Sequence, residues 1–324
     1  MNPIWSLAAT LRDLAGCWQR FFHQHCDARV CAAVRIAYAL LVLIHWAVLY
    51  PDLDHWFTDA GVMPLEAARQ IASPHALCVF WWLPSTSAVV HACFFVAVAQ
   101  TVMLLVGLLP RASALGVLIW LASFQMRNIP ICDSEDTLMR MLAFFLIWMP
   151  TGRCWSLSAL LLAAWRRAAR PDAASPCLAP GWGLRLFQLQ MAVMFLSAGL
   201  EKLAGVSWVN GTAVYYVARL DDFFGRFPTP AWMFDTPWVV FLITWSVILV
   251  EVLAPLLVWF RETRLPCLAA LLLFHLANEW TMHLFLFHWL MLVGWMSFLV
   301  PDDFRWLRFG ARALAPGPVQ PAVQ

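Results

Sequence analysis

Lysine is almost absent from this sequence, and charge of either sign is scarce. Of the 324 residues 12% are charged, and the 21 basic residues are 20 arginines and one lysine, Lys202. Arginine stays charged under nearly all conditions, whereas a desolvated lysine can lose its proton and act as a base or nucleophile. Lys202 is therefore a candidate for chemistry. The competing interpretation is a lysine that reaches from a helix end to the lipid headgroups.

Several catalytic and cofactor motifs are also missing. The sequence has no Walker loop, GxGxxG, GxSxG, HExxH or CxxC. These absences argue against a nucleotide-driven pump, a serine hydrolase, a zinc protease and a c-type haem protein. The nine cysteines occur singly, mostly in apolar runs, and buried thiols are predicted rather than disulfides or a zinc site. A net charge of +2 gives no indication of nucleic-acid binding.

Long apolar segments dominate what is present. The chain is 62% hydrophobic with a mean hydropathy of +0.72, well above the apolar share of soluble domains. This predicts an all-α integral membrane protein, a polytopic helical bundle in the lipid bilayer. A span needs about 20 apolar residues. Eight segments approach that length: 31–50, 88–109, 112–125, 138–149, 184–203, 238–260, 265–282 and 284–300.

The chain divides into three parts around these spans. Residues 1–29 mix charged and apolar side chains at helical spacing and predict an amphipathic N-terminal helix at the interface. Residues 30–300 form the predicted transmembrane domain, with a cytoplasmic linker at 165–180. Residues 301–324 form a proline-containing cytoplasmic tail that we expect to be partly disordered.

The loop arginines predict the orientation. With eight spans, thirteen of them fall on one side and four on the other, so both termini are expected in the cytoplasm of a cell (inner) membrane protein. The opposite side collects acidic residues, and Lys202 falls at that end of its helix. We therefore expect the functional side to face the periplasm or the exterior.

An acidic cluster begins the fourth span. Asp133, Glu135 and Asp136 stand at a predicted helix N-terminus, where the helix dipole favours negative charge. Asp136 and Arg140 are four residues apart and can pair on one helix face. Helix capping alone accounts for these residues. The functional alternative is a polar rim over a membrane-embedded pocket.

A second polar stretch lies in the seventh span. His275, Glu279 and His283 fall along one helical stripe with Asn278 beside it, because each step of four residues advances only about 40°. His and Glu at this spacing can chelate a metal, but no further ligands follow at the usual spacing. A hydrogen-bonded or proton-handling face is predicted, and no metal.

Two glutamates are candidate partners of Lys202. Glu251 stands alone in the sixth span, so it is either neutral or meets Lys202, Arg35 or a histidine from another helix. Glu201 precedes Lys202 directly and points about 100° away on a helix, so the two do not automatically pair.

Four segments of the chain carry a recognisable set of motifs: 35–64, 136–156, 188–211 and 251–278. The third carries Lys202-Leu203, Trp208 and Gly211, and the fourth carries Glu251 and then Phe274-His275-Leu-Ala-Asn278. Taken in this order, the segments resemble the HTTM (horizontally transferred transmembrane) family and the membrane domain of vitamin K-dependent gamma-glutamyl carboxylase.

The resemblance implies a chemistry. It assigns Lys202 the role of base toward a reduced, vitamin K-like quinone, after which oxygen adds and a strong base removes a proton from a glutamate side chain. His275 becomes a second catalytic residue, and the quinone pocket takes Asn278, Glu251, Trp208, Glu201, Asp136, Arg140 and Glu135. The chain departs from the carboxylase at Glu135-Asp136, where that enzyme has a histidine, and at Glu201, where it has a lysine.

Three functions follow. The first is a quinol- and oxygen-dependent, carboxylase-like lyase or oxygenase. The second is a non-catalytic membrane partner in the maturation, export or immunity of a secreted peptide. The carboxylase's large lumenal domain is expected to be missing, so either function is expected to use a separate periplasmic or secreted partner. A proton-coupled transporter with Glu251, His275 and Glu279 as relay is the third; the lack of internal repeats argues against it.

Overall fold

The computed structural model describes residues 3–73, 76–169, 177–300 and 303. Most of them are helical, which confirms the predicted all-α class. The helices are α1 (Pro3–His23), α2 (Ala28–Leu49), α3 (Leu53–Phe57), α4 (Leu65–Ile71), α5 (Ser87–Val106), α6 (Pro110–Arg127), α7 (Ser134–Trp148), α8 (Leu157–Ala169), α9 (Trp182–Leu203), α10 (Val206–Val209), α11 (Ala213–Val217), α12 (Trp232–Asp235), α13 (Pro237–Leu257), α14 (Arg261–Thr281) and α15 (Phe287–Met296).

Each of the eight predicted spans overlaps a helix of ten or more residues: α2, α5, α6, α7, α9, α13, α14 or α15. Within the described ranges, four stretches are long and apolar enough to cross a membrane: Ala28–Phe57, Ser87–Val106, Trp182–Leu203 and Pro237–Leu257. The other four helices are shorter or carry more charge. Eight crossings and the orientation of the termini stay predictions.

The eight helices pack as a closed ring. Each contacts the next in chain order, from α2 through α5, α6, α7, α9, α13 and α14 to α15, and α15 returns to α2. Additional contacts join α7, α9 and α15 across the centre. The main hydrophobic core fills this interior with side chains such as Trp46, Phe124 and Trp295. The apolar side chains left outside the ring suit a lipid surround.

Two fully buried arginines fasten the first half of the ring. Arg35 of α2 donates hydrogen bonds of 2.6 Å to the carbonyl oxygens of Thr151 and Trp155, after α7. Arg127, the last residue of α6, donates to the carbonyl of Met63 at 2.7 Å and lies 3.7 Å from Asp59. Because buried charges need partners, these arginines fix the segments that follow α7 and α3.

One prediction, that all nine cysteines are separate thiols, is wrong for two cysteines outside the ring. Strands β1 (His25–Asp27) and β2 (Leu178–Pro180) pair antiparallel and tie the chain before α2 to the chain before α9. Beside this ribbon Cys154 and Cys177 form a disulfide, although separate thiols were predicted for all nine cysteines. The pattern of single cysteines could not reveal this pair, because the two positions are 23 residues apart in sequence and meet only in the folded chain.

The predicted linker and tail are only partly described. The first part of the linker continues helix α8, and its end forms β2. Residues 170–176, like all tail residues except Asp303, lie outside the described ranges. Two short apolar stretches outside the eight predicted spans form short helices, one at Val79–Trp82 and the other in α10 and α11.

Candidate functional site

Lys202 lies at the interface of α9 and α13, next to Glu251. Its Nζ donates to Glu251 Oε1 at 2.9 Å and lies 2.8 Å from Oε2. The lysine side chain is 24% exposed and that of the glutamate 7%. Of the partners predicted for Glu251, the structure selects Lys202. The pair balances a negative charge that would otherwise be isolated in an apolar helix.

A glycine one turn before Lys202 lets the two helices approach. A Cβ atom at Gly199 would lie 2.8 Å from Val252 Cγ2 and 3.0 Å from Glu251 Cβ. Real Cβ atoms almost never approach another atom within 3.0 Å, so this interface requires a residue without a side chain. The short distance between the helix backbones places the lysine and glutamate side chains within hydrogen-bonding reach.

The chain after α9 turns back and places an indole beside the lysine. Gly205 N–H donates to the Lys202 carbonyl at 2.9 Å, and helix α10 begins at the next residue. Lys202 Nζ lies 5.2 Å from the ring centroid of Trp208, a cation–π distance. Glu201 is exposed and makes no ion pair within the described chain, as its position on the helix predicted. Lys202 therefore has one carboxylate and one aromatic neighbour.

The polar stretch of α14 is divided among separate partners. His275 is buried, and its Nδ1 lies 3.3 Å from Nδ1 of His288 in α15. Glu279 accepts a short hydrogen bond from Arg226 in the loop before α12. Asn278 donates to the Phe274 carbonyl of its own helix at 3.0 Å. These three predicted site residues are close in sequence but do not share one site.

One member of the predicted stripe does not belong to it. Helix α14 ends at Thr281, and His283 N–H donates to the Phe223 carbonyl at 2.9 Å. The loop around Gly225 pairs with the end of α14 and draws the chain out of the helix. The predicted alignment of His283 with His275 and Glu279 is therefore wrong, because this loop competes for the backbone.

The acidic cluster caps α7 and borders a cavity. Asp133 and Asp136 form a reciprocal capping box, with Asp133 N–H donating to Asp136 Oδ2 at 2.9 Å. Asp136 Oδ1 also accepts from Gln125 Nε2 at 2.9 Å, and Arg140 donates to the Thr137 hydroxyl. The predicted Asp136–Arg140 pair is wrong, because capping and Gln125 occupy both carboxylate oxygens. Glu135 accepts a 2.6 Å bond from the Leu286 N–H.

The predicted site residues therefore separate into three places. Lys202, Glu251 and Trp208 meet at the α9–α13 interface; His275 meets His288; Glu135 and Asp136 line a cavity of about 240 Å³ between α2, α6 and α7. Lys202 is not among the residues that line this cavity. Within the described ranges no three His, Cys, Asp or Glu side chains are placed to hold a metal ion. The relay imagined for a transporter is not contiguous either, because Glu251, His275 and Glu279 each have a different partner.

Three residues that contact the predicted site residues were not predicted from the sequence. Arg226 lies in a loop, Gln125 ends the apolar segment 112–125, and His288 lies in the apolar segment 284–300. A polar residue inside an apolar run was the available signal for Gln125 and His288, because such residues face the bundle interior. Nothing local marked Arg226, since it reaches Glu279 across 53 residues.

A helical bundle with buried charge pairs and a largely apolar exterior is typical of a membrane protein. The model of the HTTM domain matches residues 23–303, so the chain belongs to the HTTM domain family. It is also 26% identical over 166 residues to "Uncharacterized protein YitO" of Bacillus subtilis (strain 168). That match covers 49% of this chain and 50% of the relative, so it spans about half of each protein. No solved structure matches this chain significantly.

Proposed function

We propose that this protein is a membrane-embedded enzyme in which Lys202 acts as a base toward the hydroxyl group of a reduced quinone. The quinol and oxygen would then drive a carboxylase-like modification of a separate secreted peptide or protein. The observation that carries the proposal is the ion pair of the one lysine with the one glutamate of α13. Membership of the HTTM domain family supports it, since the Lys-Leu, Trp and Gly pattern lies in the matched region.

Glu251 can accept the proton that Lys202 must lose before the lysine can act as a base. The 2.9 Å hydrogen bond from Nζ to Glu251 Oε1 is a direct path for proton transfer. With the proton on Glu251, Lys202 is a neutral amine that can accept a proton from a substrate hydroxyl. Trp208 on one side restricts the lysine's movement.

The surroundings of Lys202 fit a lipid-soluble hydroxyl compound. About a quarter of its side chain is exposed, and Leu200, Leu203 and Val206 of the same stretch present apolar surface. A reduced quinone, when bound, would supply an acidic hydroxyl and the electrons that reduce oxygen. Lys202 would hold the hydroxyl proton and Trp208 would pack against an apolar ring. We assign His275 no role in this proposed step, because its described contact is with His288 and not with the ion pair.

Oxygen uptake in the presence of a reduced quinone tests the proposal. We expect purified wild-type protein to consume oxygen, and Lys202→Arg to lose the activity by roughly 10²–10⁴-fold, the usual contribution of a general base. Arginine keeps the charge and can pair with Glu251, but it does not accept a proton at neutral pH. Glu262→Gln is the matched control, because this exposed carboxylate lies outside the pair and outside the predicted pocket.

Full activity in a correctly folded Lys202→Arg protein would exclude Lys202 as the base. Mass spectrometry of lipids extracted from the purified protein gives an independent readout, a co-purified quinone.

The non-catalytic partner function predicts a different response to the same variants. A secreted peptide would then co-purify equally with wild type and Lys202→Arg, while charge reversal at Asp133 would abolish its binding.

A further inference from the structure

The cavity at the end of α7 has a wall whose charge is unbalanced. Four carboxylates line it: Asp52, Asp133, Glu135 and Asp136. The described lining includes one histidine, His45, but no lysine or arginine, and the nearby Arg140 donates to Thr137. Glu135 and Asp136 are more than nine-tenths buried. Carboxylates this enclosed are costly without a positive partner.

A buried amide supplies a second, independent indication of a ligand. Gln125 lines the same cavity and is 4% exposed. Its Nε2 donates to Asp136 Oδ1, which leaves Oε1 to accept a bond, yet Oε1 has no partner in the described chain. Buried polar atoms in folded proteins are nearly always hydrogen-bonded. The missing partner is a donor, because an amide oxygen can only accept.

The rest of the wall suits an organic cation. Trp56, Phe57, Phe124 and Phe285 contribute aromatic side chains to the lining. Aromatic faces attract cations by about 0.5–2 kcal/mol, according to how fully the cation is desolvated. The volume of about 240 Å³ lies below the roughly 300–1,000 Å³ of pockets for drug-sized ligands. One amine-bearing chain of a few carbon atoms matches this space.

We propose that this cavity binds a primary alkylammonium group, with Glu135 and Gln125 receiving its N–H donors, Asp136 adding negative charge beside them and the aromatic wall covering its carbon chain. A quaternary ammonium lacks these donors, and an alcohol lacks the charge. The described residues hold no cluster suited to a metal ion. The site is separate from Lys202, so it stands whether or not the proposed base function is correct.

Calorimetric titration of the purified full chain in detergent, at fixed ionic strength, tests this with n-butylammonium chloride. We expect saturable binding, and about tenfold or more weaker binding of both tetramethylammonium and n-butanol. No saturable heat with n-butylammonium overturns the proposal, as does equal binding of either control compound. N-acetyl-lysine methylamide then identifies the source: comparable binding indicates a lysine side chain of a peptide, and its exclusion indicates a free amine.

Variants locate the binding in the cavity. Glu135→Gln keeps an acceptor for the Leu286 N–H but removes a charge, and should weaken n-butylammonium binding about tenfold. Asp52→Asn, at an exposed position of the wall, should fold normally and weaken binding about threefold. Glu66→Gln, an exposed carboxylate outside the cavity, and Lys202→Arg should leave it unchanged. Unchanged binding in both folded cavity variants would overturn the proposal.

Discussion

The Lys202–Glu251 pair and the acidic cavity use buried carboxylates in opposite ways. Glu251 has a lysine 2.8 Å away and sits between two packed helices. Glu135 and Asp136 share their cavity with two more carboxylates, and no lysine or arginine is among the described residues of its wall. One arrangement is complete within the chain, and the other calls for a positive charge from outside.

The surrounding structure explains why each arrangement is tolerated. Glu251 stands inside a helix long and apolar enough to span the membrane, where an unpaired charge costs several kcal/mol. The acidic cluster begins α7, where backbone N–H groups of the helix N-terminus offset negative charge. A carboxylate in the middle of a spanning helix therefore needs a permanent partner, whereas one at a helix N-terminus is tolerated without a bound ligand.

The largest effect on stability is expected from removing one partner of the pair. Glu251→Leu leaves Lys202 beside apolar side chains, which should cost about 2–3 kcal/mol. This is below the full value for a buried pair, because the lysine side chain is 24% exposed and can turn toward a polar surface. Thermal unfolding in detergent measures the loss.

The double variant Lys202→Met/Glu251→Leu provides the control. Replacing both charges with apolar groups should restore most of the stability, since the desolvation cost disappears with them. A double variant as unstable as Glu251→Leu would mean that packing around Glu251, and not its charge, holds α9 and α13 together.

The next largest effect is expected at Gly199. In Gly199→Ala the new methyl group would meet Val252 at 2.8 Å and Glu251 at 3.0 Å, so the helices must separate. We expect a destabilisation of about 1–3 kcal/mol together with a longer Lys202–Glu251 contact. Gly225→Ala is a weaker perturbation sterically, since nothing lies within 4 Å of its added Cβ, and strain from its positive φ is its only cost. Equal melting temperatures for Gly199→Ala and wild type would contradict the close approach.

The pair was within reach of sequence reasoning, while other contacts were not. Apolar segments located the eight helices of the ring, because backbone bonds in lipid must be satisfied within a helix. An isolated glutamate in such a run limited its partners to a few charged residues, and Lys202 was one. The contact of Arg226 with Glu279 depends on the path of a loop, which no periodicity specifies.

Errors arose where local groups compete for the same atoms. Helical spacing alone allowed Asp136 to pair with Arg140, yet the capping box and Gln125 take its oxygens. Spacing also placed His283 on the stripe of His275, although the helix ends two residues earlier. Helix ends are decided by capping and by tertiary contacts, so they are the least predictable part of a periodic pattern.

The smallest effect on stability is expected in the cavity, and its sign separates the two regions. Glu135→Gln removes one of four neighbouring negative charges while an amide oxygen can still accept from the Leu286 N–H. Without added amine, we expect stability to stay within about 0.5 kcal/mol of wild type or to rise, because like-charge repulsion is relieved. Glu251→Gln, the same chemical change, should lower stability, because it removes the partner of Lys202. Melting both variants side by side checks this, and a clear loss in Glu135→Gln would mean that its carboxylate is already balanced by a charge within the protein.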